Sequence, residues 1–544
     1  MIALHKPLRR SYLFIALAML LTQGFEGAPS LLAKRNTTSA ASSERTQGAG
    51  DLDSAFGNGG LITTSFFGSG DGAAAVAIQP DGKIVAAGYA SRNSDLNSED
   101  FAVSRYNPDG SLDQTFGSGG KQTTDFFGFS DQSYRVAIQP DGKIVVVGHA
   151  TDSQGNRVLA IARYQPDGSL DHGFGSGGKI AEDSLITPQV GWALTFDSDG
   201  RIVVVGQSPY SPRAGVDVYA FLILRYNPNG TPDQTFGSGG SQHIDFFGNG
   251  SVPVGVKVQS DGKIVAAGYA TVDSGNTQTV FAVARFNPDG SLDQSFGSGG
   301  KQTTDFPGHW ALGDSLAIQP DGKIVVGGYA EASRFNSPTS DFALVRYNQD
   351  GTPDLAFGSG GKQTTDFFGN CDQSFDLGLQ SDGKIVLGGF AQAQNGDSRR
   401  DFAIARYNQD GNPDQTFGMG GKQVTDFFGG QDISFGLAIQ PGDKIVLAGG
   451  VATAGTQSTT VFGLARYIPG SISPDFSVLF NPASITAQRG SKVQATLKIV
   501  RTGGFTGAVT VTPGQPVSGI KAKPAAGVTV TGDSGTFKIK VGTG

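Results

Sequence analysis

The sequence predicts an all-β chain whose main body is a seven-bladed β-propeller. Three observations predict it. One repeat of about sixty residues recurs seven times. Glycine is abundant, 82 of 544 residues, and evenly spread, which points to many tight turns. The repeat array opens with the last strand type of a repeat and closes with the first three, a phase that suits a closed ring.

Each repeat carries three markers. The first is Leu-Asp-x-x-Phe-Gly-x-Gly-Gly or a close variant, with its aspartate at Asp53, Asp113, Asp171, Asp233, Asp293, Asp354 and Asp414. The second is Gln-Pro-Asp-Gly-Lys-Ile-Val or a variant, with Asp81, Asp141, Asp199, Asp261, Asp321, Asp382 and Asp443. The third is an arginine followed by an aromatic, at Arg105, Arg163, Arg225, Arg285, Arg346, Arg406 and Arg466.

Four strands follow from one copy. Pro140-Asp141-Gly142 between two apolar runs is a hairpin turn. Proline presets φ, aspartate bonds its own backbone, and glycine takes the left-handed position. Pro441-Gly442-Asp443 inverts the order and predicts a variant hairpin. The run Ile144–Val147 is apolar on both faces, so both must be covered, as between stacked blades. Asp401–Tyr407 alternates bulky residues with alanine, which admits a close neighbour. Lys121–Phe126 is more polar and suits an outer edge. The strand over Leu61–Phe66 is predicted to complete the blade formed by residues 435–467. The third copy is irregular, with an enlarged loop over residues 207–219.

The ends differ from the repeats. Lys6, Arg9 and Arg10 precede the apolar stretch Tyr12–Leu21, so residues 1–28 read as a signal peptide and the protein as bacterial, secreted or at the cell surface. Residues 29–50 read as a flexible linker and residues 51–470 as the propeller. No other stretch is apolar enough to span a membrane, and the expected state is a monomer. The markers resemble the bacterial delta-sixty (60-residue) repeat family, which implies a propeller and no particular activity. Residues 471–544 look like strands of an immunoglobulin-like β-sandwich, similar to terminal domains of bacterial surface proteins, and stop before a closing strand.

Charge and composition exclude several functions. The formal net charge of −7 argues against nucleic acid as a partner. The single cysteine, Cys371, permits neither an intramolecular disulfide nor a cysteine zinc site. His149, His172, His243 and His309 occupy different repeat positions, so symmetry does not gather them. Gly313-Asp314-Ser315-Leu316 matches a hydrolase tetrapeptide but fills an ordinary repeat slot.

Asn107–Asp113 resembles part of a calcium loop. An arginine, Arg105 here, stands where an acidic ligand is needed, so the loop reads as metal-free, with the guanidinium paired to Asp109 or Asp113. Arg163, Arg285, Arg346 and Arg406 are expected to act alike. No cofactor or metal is predicted.

The loops after the second and fourth strands vary in length and chemistry and share one face, which predicts a binding face. Its candidate contacts are Phe129, Trp192, Tyr210, Arg213, His309, Trp310, Phe335, Arg399 and Arg400, stacking on a glycan or anchoring a protein. The paired phenylalanines at 126–127, 246–247, 367–368 and 427–428 are assigned mainly to packing. The predicted function is a non-catalytic binding or scaffold protein. The alternatives are a propeller lyase or hydrolase acting on a polysaccharide or peptide, and a structural spacer.

Overall fold

The computed structural model describes residues 47–470, apart from loop positions 94–97, 183–189, 214–215, 274, 276–277, 307–309, 332–338, 393–398 and 453–458, together with six strands within residues 475–541. The expected signal peptide and most of the linker lie outside the described residues. No helix among the described residues is long and apolar enough to cross a membrane.

Seven four-stranded antiparallel sheets form the seven-bladed propeller. The first blade runs Asp71–Ile78, Ile84–Ser91, Glu99–Tyr106 and Lys121–Thr124 from the axis outward. The next five repeat that order and begin at Asp131–Ile138, Val190–Phe196, Ser251–Val258, Trp310–Ile318 and Asp372–Leu379. The seventh comprises Asp432–Ile439, Ile445–Ala452 and Thr460–Tyr467, and its outer strand is the N-terminal Leu61–Thr64, with Leu61 opposite Ala465. The ring therefore closes as the repeat phase predicts.

Apolar residues fill the gaps between blades. Ala75, Val85 and Phe101 of the first blade meet Val136, Ile144 and Val146 of the second. Ala73, Val76 and Ile84 meet Val446, Ala448 and Phe462 across the closing seam. The marker phenylalanines from Phe56 to Phe417 are fully buried, each worth roughly 2–3 kcal/mol.

Polar rivets join the same faces. Arg105 Nε donates to Asp113 Oδ2 at 2.8 Å, Nη1 donates to the Pro166 carbonyl in the next repeat, and the guanidinium lies 4.7 Å from the Phe116 ring centroid. Arg163, Arg225, Arg285, Arg346, Arg406 and Arg466 repeat the pattern. The aspartate at position 113 is a partner as expected; Asp109 is not. Asp109 is exposed and accepts from Ser111 N and Oγ at 2.9 and 2.7 Å, so it caps its own turn. Tyr106 Oη donates to Thr64 Oγ1 of the seventh blade at 2.9 Å, and Tyr467 to Thr425 at 2.9 Å.

Gly142 has φ 84°, as its turn requires. In the inverted hairpin Asp443 takes φ 62°, and its carboxylate accepts from Ser381 N at 2.7 Å. The enlarged loop of the third copy is instead an extended hairpin, Ile202–Arg213 pairing with Val216–Tyr226. It therefore carries Tyr210 and Arg213 on paired strands rather than in a loop.

The C-terminal strands Asp475–Asn481, Lys492–Thr502, Ser534–Val541 and Ile520–Lys523 form one antiparallel sheet in that order. Val509–Val511 and Val528–Val530 pair separately.

Candidate functional site: the mouth of the propeller axis

Every innermost strand contains one β-bulge. Pairing shifts between Ala73 and Ala75, and again at 133/135, 191/193, 253/255, 313/315, 374/376 and 434/436. A bulge leaves one residue unpaired and re-aims its side chain. The residues so displaced are Ala74, Tyr134, Trp192, Val254, Asp314, Phe375 and Phe435. Six are partly exposed, and Asp314 is buried. The strand opposite passes so close that only glycine fits: a Cβ on Gly148 would sit 2.0 Å from the Gln132 carbonyl oxygen.

This bulge row brings together chemistry that the repeats keep apart. Tyr134 stacks on Trp192 at 4.9 Å between centroids and on His149 at 5.5 Å. Phe375 meets Phe435 at 5.1 Å and Phe390 at 5.9 Å. Tyr134 Oη is 2.9 Å from His149 Nδ1 and 3.2 Å from Gln132 Oε1. Gln132 Nε2 in turn donates to Glu99 Oε2, which also accepts from Ser130 Oγ at 2.9 Å. Burial, and then the nearby Arg157 charge, hold His149 well below the usual imidazole range, so the ring is neutral. Burial raises the Tyr134 phenol above its usual range.

A charged set lies one step further along the strands. Arg135 reaches across the axis to the carbonyl oxygens of Phe375 and Phe435, at 3.3 and 3.5 Å, with Asp376 Oδ1 at 3.9 Å. Asp314 carries a buried Oδ2 with no hydrogen-bond partner, and burial raises its carboxyl well above the carboxylate range.

Of the predicted contacts among the described residues, the structure brings Trp192 to this mouth, on an innermost strand rather than a variable loop. Trp310 is 5% exposed and packs with Leu312 and Tyr329, so it presents no surface. It opens a strand whose burial leaves the indole inside. Phe129 is 41% exposed and Arg399 is exposed; the Arg400 guanidinium lies 4.7 Å from the Phe390 centroid. His309 and Phe335 lie outside the described residues, as do the side chains of Tyr210 and Arg213. The paired phenylalanines divide: Phe126 packs on Phe101 at 5.0 Å, while Phe127, Phe247, Phe368 and Phe428 are 40–46% exposed. Packing therefore accounts for the first of each pair only. Cys371 Sγ lies 3.2 Å from Ser340 Oγ, and burial raises its thiol.

Three acidic corners recur at blade seams. Asp100, Asp125 and Asp131 bring carboxylate oxygens within 4.8 Å, as do Asp341, Asp366 and Asp372, and Asp401, Asp426 and Asp432. Burial, with the neighbouring carboxylates adding to it, pushes Asp131, Asp372 and Asp432 up to about 7, against the opposing loop amides of Phe126, Phe367 and Phe427.

Sequence reasoning missed Tyr134, Glu99, Gln132, Arg135 and Asp376, and set His149 aside. A signal existed: Arg135 and Asp376 stand where the other copies have Ala75, Ala193, Gly255, Ser315 and Gly436.

No curated protein matches the chain in sequence. Among solved structures, the chain is similar to a protein of unknown function from Dyadobacter fermentans, with 12% identity and TM-score 0.38 over 75% of this chain and 99% of that one. It is also similar to a PL25 ulvan lyase, with 14% identity and TM-score 0.43 over 75% and 96%. A virginiamycin B lyase from Staphylococcus aureus gives 11% and 0.40 over 74% and 98%. At such values these likenesses say nothing of what this chain does. A family model described as a domain of unknown function (DUF5122) beta-propeller matches residues 79–116, 139–174, 198–236, 259–296, 319–357 and 380–417. Each stretch runs from the Pro-Asp-Gly hairpin or its variant to the marker phenylalanine and leaves out the bulged innermost strand. The matched stretches leave out Tyr134, Trp192, Arg135, Asp314, Phe375 and Asp376, whereas Glu99, His149 and Phe390 fall within them.

Proposed function

We propose that this is a secreted or cell-surface recognition protein that binds a hydroxyl-rich ligand, of the glycan class, at the axial mouth on its variable-loop face. The observation that carries the reading is the partly exposed Tyr134–Trp192 stack beside the Glu99–Gln132–Tyr134 hydrogen-bond chain. Aromatic faces suit the apolar side of a sugar ring, and the amide and carboxylate suit its hydroxyls. Phe129, Arg399 and Arg400 extend the contact area on the same face. Residues 471–544 are taken as an immunoglobulin-like spacer.

A lyase or hydrolase reading is favoured by one observation, the Tyr134–His149 contact at 2.9 Å. A base must lose its proton near the working pH. The raised Tyr134 phenol is a poor base, and this supports recognition over proton abstraction.

The test is a glycan array probed with the full chain and its Trp192→Ala variant. Saturable binding weakened about tenfold by the substitution, the worth of one stacking contact, is the expected result. Binding that survives Trp192→Ala unchanged refutes the site, and product release from a bound glycan supports the enzyme.

A further inference from the structure

We infer that the axial channel beneath the aromatic mouth seats an acidic group of the ligand, a carboxylate or sulfate ester on a sugar chain, held by Arg135 and Lys257. This deepens the recognition reading above and rests on it.

The placement argues for it. Residues 75, 193, 255, 315 and 436, the equivalents of Arg135 and Asp376 in the other five blades, are small and uncharged. Two places further along the strand, the copies carry Ala77, Ala137, Thr195, Ala317, Gly378 and Ala438, and the fourth blade alone carries a cation, Lys257. Arg135, Lys257 and Asp376 belong to the second, fourth and sixth blades, none of which touches another as a neighbour in the ring. Blades so separated come within reach of one another only at the axis.

The charges there do not balance. The Asp376 carboxylate is already bonded to backbone: Oδ1 accepts from Leu377 N at 3.0 Å and Oδ2 from Leu437 N at 2.9 Å. Arg135 approaches it at only 3.9 Å and otherwise meets main-chain carbonyls. The Lys257 ammonium makes no hydrogen bond or ion pair among the described residues, and its side chain is accessible. Its surroundings lower its proton affinity, burial foremost; Asp376 opposes that and Arg135 adds to it. With the buried Asp314 carboxyl held protonated, Arg135 and Lys257 face the single carboxylate of Asp376, and one excess positive charge stands in the axis of a chain whose formal net charge is −7.

Two cations that share one carboxylate at close quarters repel each other, and an incoming anion relieves that repulsion. A guanidinium fork and an ammonium together match the oxygens of a carboxylate or sulfate. The aromatic ring above sets the sugar carrying that group.

The experiment measures affinities of the full chain for three probes of equal length: a galacturonate oligosaccharide, a sulfated galactose oligosaccharide and a neutral galactose oligosaccharide. The proteins are the unsubstituted chain, Lys257→Gln, Lys257→Arg and Arg135→Gln, each with its melting temperature. Acidic probes are expected to bind at least about tenfold more tightly than the neutral one. Lys257→Gln should remove most of that preference, Lys257→Arg should keep it, and neutral binding should not move. The tighter of the two acidic probes identifies the group. Equal affinity for acidic and neutral probes, or a preference unchanged in both glutamine variants, overturns the inference while leaving the recognition site standing. Absence of binding to all three overturns both.

Discussion

Replacing Arg285 with methionine removes one of the seven inter-blade rivets, and its effect can be worked from the contacts. The guanidinium donates to Asp293 Oδ2 at 2.7 Å and to the Gln349 carbonyl, and lies 4.6 Å from the Phe296 centroid. Both charged side chains are buried, at 7% and 8% exposure. Removing one partner of a buried pair costs about 3–5 kcal/mol. Lys263, whose ammonium is 3.2 Å from the same Asp293 oxygen and more exposed, offsets about 1 kcal/mol of this. Methionine keeps the apolar contact with Phe296. The expected loss is therefore about 3 kcal/mol in equilibrium urea unfolding followed by circular dichroism. The comparison that matters is Arg466→Met. Its partner Asp53 comes from the other end of the repeat array, at 2.9 Å, with Lys444 in the place of Lys263 at 2.7 Å. A closed ring predicts equal losses at the two sites. A loss below about 1 kcal/mol for Arg466→Met beside a full loss for Arg285→Met would refute the seam.

Three further outcomes follow from the same contacts. Asp131, Asp372 and Asp432 titrate at about 7 when folded, above their unfolded value, so their protonated forms stabilise the fold at low pH. Stability measured by thermal melting should fall as pH rises from about 4 through 7, and alanine at all three positions should flatten that slope. Asp233 behaves oppositely: burial resists ionisation, but Thr235 and Arg225 overcome it and hold the carboxyl at about 2, so its contribution is present above about 4 and lost as pH falls through 2. Trp310→Ala should lower stability by about 3–5 kcal/mol because the indole is buried, whereas Phe127→Ser should change it by less than about 0.5 kcal/mol because that ring is 43% exposed; urea midpoints distinguish them.

The propeller was legible because local chemistry repeats. A Pro-Asp-Gly hairpin, an apolar strand covered on both faces and an arginine eight residues before an aspartate each state their own structure, and seven copies fix the ring. The inner lining was not legible in the same way. That Trp192 turns toward the axial mouth depends on a one-residue bulge, whose only trace in the sequence is the glycine facing it on the second strand. Tyr134 and His149 are fifteen residues apart and meet only because the first two strands pair in that register. Arg135 and Asp376 lie 241 positions apart and converge only when the ring has closed. Of the two aspartates offered to the guanidinium, Asp113 takes it, because the exposed Asp109, two places before a serine, is better satisfied by its own turn.

The most direct test uses the two tryptophans as reporters. In the Trp310→Phe protein the only indole is Trp192, stacked on Tyr134, the residue next in sequence to Arg135. Fluorescence quenching is measured with iodide and with caesium at matched ionic strength. Iodide should quench more efficiently than caesium despite the net charge of −7, and Lys257→Gln should reduce the difference. Equal quenching by both ions, or stronger quenching by caesium, would contradict a cationic binding channel at the propeller axis.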